Sequence, residues 1–94
     1  MTLHQNLADQ LLRIVQSMPG KRTDPQRQQA IAAIQRFEAA PWIPAMFDQA
    51  KSAADLRFDP ADPFKLAPVP ASGRRYAVCG IIRLLDRYTE LING

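Results

Sequence analysis

The chain has 94 residues, 47% of them apolar and 22% charged, values that exclude a polar or acidic disordered chain. That length supports one core, and two domains would each be too small to bury their own, so residues 1–94 are read as a single domain. Twelve Lys and Arg against nine Asp and Glu give a mildly basic net charge of +3, and 7% aromatics beside 14 alanines disfavour an all-β fold.

One cysteine, Cys79, allows neither an internal disulfide nor a thiolate zinc cluster, and the single histidine, His4, has no second histidine with which to share a metal. No metal or cofactor is expected. The amino terminus lacks the basic-then-apolar pattern of a signal peptide. The most apolar stretch, Tyr76 to Leu85, is interrupted by Gly80 and Arg83, well short of the roughly 20 residues a membrane helix needs. The corresponding expectation is a cytoplasmic protein with no membrane partner, a whole small gene product of bacterial type.

In chain order, Leu3, Leu7, Leu11, Ile14 and Met18 recur at helical spacing, with Gln5, Asn6, Asp9, Gln10, Arg13 and Gln16 on the opposite side. Thr2 is the predicted cap, and Pro19-Gly20 ends the segment. A second helix opens at Thr23-Asp24-Pro25-Gln26, where either Thr23 pairs with Gln26 in a capping box or Asp24 caps and Pro25 takes the first helical position. Its apolar stripe is Ala30, Ile31, Ile34 and Phe37. Pro41-Trp42-Ile43-Pro44 breaks the chain before a third, alanine-rich helix carrying Met46, Phe47, Ala50, Ala54 and Leu56. Residues 59–73 hold Pro60, Pro63, Pro68 and Pro70 and lose periodicity, and read as an extended, partly polyproline-like strap. Ser72-Gly73 opens a fourth helix, apolar over well over half its circumference, in which Gly80 beside Ala77 offers a flat patch to another backbone. The predicted fold is all-α: a small four-helix bundle-like domain with helices at about 3–18, 24–39, 44–57 and 74–92 and a proline-rich extended strap between helices 3 and 4.

No catalytic grouping emerges. A cysteine nucleophile needs a base, and His4 is placed on the polar side of the first turn, so Cys79 reads as a small core residue. Asp59 and Asp62 each precede a proline, a context that favours turns over acid–base chemistry. Asp86 and Glu90 interleave with Arg83 and Arg87 as exposed ion pairs such as Arg87 with Glu90. The leading expectation is therefore a non-enzymatic binding protein, a regulator, adaptor or inhibitor acting through protein contacts. The apolar surplus of the fourth helix suggests a homodimer through Ile81, Leu84, Tyr88 and Leu91. Trp42, Phe64, Arg74, Arg75 and Tyr76 are the candidate contacts to another protein. The alternative is a weakly basic nucleic-acid-binding regulator using Lys21, Arg22 and Arg27 at the turn between the first two helices.

Overall fold

Capping decides where the first two helices begin. The computed structural model describes residues 2–94 and is mostly helical, with α1 at Leu3–Ser17, α2 at Pro25–Ala39, α3 at Pro44–Ala50 and α4 at Arg74–Ile92. The Thr2 hydroxyl accepts from the Gln5 amide at 3.1 Å, meeting one of the unpaired donors of the first turn. Of the two caps possible for α2, Asp24 is used: its carboxylate accepts from the Gln26 amide at 2.9 Å, with Pro25 at the first helical position. That frees the Gln26 side chain for contacts across the molecule. Among the described residues, no helix is long and apolar enough to cross a membrane.

The third helix is shorter than the expected span of 44–57. It stops at Ala50, passes through a 3₁₀ turn at Lys51–Ala53, and Ala54 is extended. Local i,i+3 bonds and contacts with the hairpin rings take the place of further helical turns here. Ser52 donates to the Gln49 carbonyl at 2.9 Å. Lys51 pairs with Asp48 at 3.0 Å and stands 4.5 Å over the Phe58 ring and 5.1 Å over that of Phe64. Turning the chain at this point delivers Leu56 and Phe58 to the core edge.

The connection expected over residues 59–73 as an extended, partly polyproline-like strap holds strands that the all-α expectation lacked. Its first half is a hairpin, β1 at Phe58–Asp59 against β2 at Asp62–Leu66, antiparallel with Phe58 opposite Leu66. The aspartates make the corner: the Ala61 amide donates to Asp59 at 2.8 Å and the Phe64 amide to Asp62 at 3.0 Å, the local bonds that suit Asp to turns. Phe64 and Leu66 point inward and Lys65 outward, the alternation of a half-buried strand. The outer edge of β2 is closed by a side chain. The Gln10 amide nitrogen donates to the Phe64 carbonyl at 3.4 Å, and its oxygen accepts from the Leu66 amide at 3.0 Å. Gln10 thus pairs with β2 as a neighbouring strand's peptide group would.

This arrangement accounts for the apolar breadth of α4. Ile81, Leu84 and Tyr88 lie in the core with Leu7, Leu11, Ile34, Phe37 and Phe47, because α4 packs against α1, α2, α3 and the 3₁₀ turn together. Gly80 receives the Leu56 side chain of the same chain and no second backbone: a Cβ at Gly80 would lie 3.0 Å from Leu56 Cγ. Gly80→Val is expected to cost about 2 kcal/mol by overpacking. Denaturant midpoints for the Gly80→Val and Leu56→Ala cycle should show a favourable coupling of about 1 kcal/mol; strictly additive losses would show that Leu56 does not fill this notch.

Candidate partner-binding surface

Arg27 is the one expected nucleic-acid contact that the structure removes from the surface. It is 9% exposed. Nη1 donates to the carbonyls of Val15 at 3.4 Å and Gln16 at 3.1 Å; Nη2 donates to those of Met18 and, at 3.1 Å, Gly20. These carbonyls finish α1 and its exit, where the helix dipole favours a cation and the last acceptors lack backbone donors. Arg27 is therefore a clamp on the end of α1, and its position on the buried stripe with Ala30, Ile34 and Phe37 gives the physical reason. Nε is buried and unpartnered, so the guanidinium spends its two terminal nitrogens on the clamp.

Lys21 and Arg22 remain exposed in the α1–α2 turn. Arg75 joins them from the first turn of α4. Its Nη2 bonds the Pro19 carbonyl at 3.0 Å and the Asp24 carboxylate at 2.9 Å, and its Nη1 reaches Gln26 Oε1, also at 2.9 Å. Gly20, at φ +125°, is needed here both for its backbone conformation and because a Cβ would lie 3.1 Å from Arg75 Nη2. Gln26 Nε2 also contacts Cys79 Sγ, so Cys79 is half-buried beside an amide and no hydrogen bond joins it to His4 among the described residues. The hydrogen bond from Arg75, opposed in part by burial and aided by the Gln26 amide, holds the Asp24 carboxyl below its ordinary value of 3.8.

Trp42 and Phe64 belong to an aromatic cluster within the chain. Trp42 is half-buried among Phe47 (5.6 Å), Phe64 (5.9 Å), Phe37 (6.2 Å) and Tyr88 (6.4 Å). His4 stacks on it at 5.2 Å while bonding the Phe37 carbonyl at 2.7 Å. The polar placement expected for His4 is thereby corrected: the first turn of α1 lies over the α2–α3 break. The Tyr88 hydroxyl donates to the Pro41 carbonyl at 2.5 Å and accepts from the Ile43 amide at 3.0 Å, tying that break to α4. Ile81, Leu84 and Tyr88 thus face the chain's own interior, and of the four expected self-association residues Leu91 alone is not fully buried.

Tyr76 and Arg74 are placed differently. Tyr76 is 62% exposed, the most exposed of the large hydrophobic residues, with a 3.4 Å bond from its hydroxyl to Asp55. Residues 67–70 run past it as a ridge. On one side Tyr76, Leu56 and Pro70 border a shallow depression of about 160 Å³. On the other, Arg13, Ile14, Leu66, Val69 and Arg74 line a groove of about 350 Å³. Arg13 is a wall of this groove that was not among the expected contacts. Gln10, Arg13, Ile14 and Ser17 fall at i, i+3, i+4 and i+7, one stripe along α1, and that spacing is the signal that could have found this wall.

Two outcomes test the corner. Arg27→Met should lower unfolding free energy by about 3 kcal/mol in urea, since buried carbonyls lose a charged donor, and Arg27→Lys should restore little because one ammonium cannot span the fork; equal stability of all three proteins would refute the clamp. Because the Asp24 carboxyl is depressed on folding, its contribution is complete above about pH 4 and lost as pH falls through the folded-state value. Stability curves of Asp24→Asn should therefore fall less steeply below about pH 4 than those of the parent protein. Comparison with protein-family models, curated proteins and solved structures finds no significant match for the chain.

Proposed function

We propose that this chain is a small non-enzymatic binding protein, a regulator, adaptor or inhibitor that acts by contact with another protein. The observation that carries this reading is Tyr76, 62% exposed at the start of α4, where it borders the smaller depression and directly follows Arg75. Tyrosine beside arginine is the composition favoured at the energetic centres of interfaces. In this reading the helices form a bundle-like unit, and the proline-rich stretch to Pro70 is a strap whose ridge presents the binding face. A homodimer through the inward face of α4 loses its motive once Ile81, Leu84 and Tyr88 are in the protomer's core, and in this reading the partner is a different protein.

A second reading keeps nucleic acid as the partner. The observation in its favour is that Arg75 reaches the α1–α2 turn, beside exposed Lys21 and Arg22. Arg27 no longer contributes to it.

A photo-reactive phenylalanine analogue at position 76, expressed at natural level, should give a discrete protein adduct, whereas the same group at exposed position 36 should not. Identical adducts from both positions, or none, would overturn the protein-binding reading. Duplex DNA retention that falls steeply with salt and vanishes in the double variant Lys21→Ala, Arg22→Ala would favour the second reading instead.

A further inference from the structure

We propose that the groove between α1 and residues 66–69 is a docking site for an acidic, aliphatic peptide segment, held by Arg13 and Arg74. The proposal rests on the protein-binding reading above and names the chemistry of the partner.

Charge is the first argument. Three ion pairs occur among the described residues, Lys51–Asp48, Arg75–Asp24 and Arg87–Glu90, and neither Arg13 nor Arg74 takes part in one. No Asp or Glu lines the groove. The adjacent Arg74 and Arg75 thus have separate duties: Arg75 is committed to Asp24, Gln26 and the Pro19 carbonyl, and Arg74 faces a cavity. Two guanidiniums on one groove create a local positive potential, and each presents a fork suited to a carboxylate.

The floor is the second argument. Ile14, Leu66 and Val69 supply aliphatic surface between the two cations, so the groove matches a segment with an apolar side chain flanked by carboxylates. A Glu-Leu-Glu sequence in the polyproline-II conformation has this form, since three residues per turn direct the leucine down and the two glutamates to either side. A volume of about 350 Å³ lies at the small end of ligand sites and accommodates one or two side chains. Nucleic acid is the poorer occupant: no aromatic side chain lines the groove for base stacking.

The test uses the whole chain and methyl-detected NMR titration with a capped peptide containing Glu-Leu-Glu between Gly-Ser flanks. The Ile14 and Val69 methyl resonances should shift with saturation in the millimolar range or tighter. Affinity should fall at least about fivefold for the Gln-Leu-Gln peptide and for Arg13→Gln or Arg74→Gln, and stay unchanged for Arg36→Gln. Unmoved Ile14 and Val69 resonances would overturn the proposal, as would equal shifts from the Glu and Gln peptides or tighter binding of a short oligothymidylate at the same resonances. The two failures are distinguishable. If the position-76 adduct persists unchanged in the double variant Arg13→Gln, Arg74→Gln, the groove proposal falls and the protein-binding reading stands. If position 76 gives no adduct, the protein-binding reading falls and the groove proposal falls with it, even where the peptide binds.

Discussion

A buried charge without a carboxylate partner organises this fold. Arg27 is met by carbonyl oxygens at the end of α1, and its countercharge is the aligned backbone itself. The bond sets fix the exit of α1 and the course of Pro19-Gly20, and so place Asp24 where it can cap α2 and receive Arg75 from α4. Three helices are registered at one corner by two arginines, one buried and one half-exposed. Arginine suits this role because its planar fork reaches several fixed acceptors at once.

The opposite end is registered by aromatic packing and one phenol. Tyr88 bridges the Pro41 carbonyl and the Ile43 amide, which satisfies backbone groups that two prolines leave without helical partners. His4, Phe37, Trp42, Phe47 and Phe64 assemble around it. With both ends of α4 occupied and Leu56 seated against Gly80, the greasy circumference of α4 is covered by the chain's own α1, α2, α3 and the 3₁₀ turn after α3. A helix apolar on several sides can thus be central in so short a chain. The surface left for partners is the ridge at residues 67–70 with its flanking depressions, where side chains from α1 and α4 meet a proline-rich segment.

Much of this was legible in the residues. The period of α1, the Asp24-Pro25 start and the length of α4 are local properties, written as spacing and capping chemistry. Arg87 with Glu90, at 3.1 Å, is likewise a neighbour effect on one helix. What escaped local reading depends on distant partners. Arg27 resembles any exposed helical arginine until its place on the Ala30–Ile34–Phe37 stripe is weighed. The hairpin is two short strands whose brief Phe64-Lys65-Leu66 alternation follows Pro60 and Pro63, and where α3 stops, Lys51 stands over the rings of Phe58 and Phe64 from the hairpin. The binding face was half legible: Arg74 and Tyr76 stood out by type, whereas Arg13 joins them through the packing of α1 beside residues 66–69.

The Gln10 side chain restricts how a partner can arrive. A hairpin with a free outer edge invites β-augmentation, in which a foreign strand extends the sheet and recognition is mainly by backbone. Gln10 already occupies the Phe64 carbonyl and the Leu66 amide on that edge, as a one-residue plug against edge-to-edge aggregation as well. A ligand of this face must therefore be chosen by its side chains, which makes its recognition a matter of sequence more than of shape.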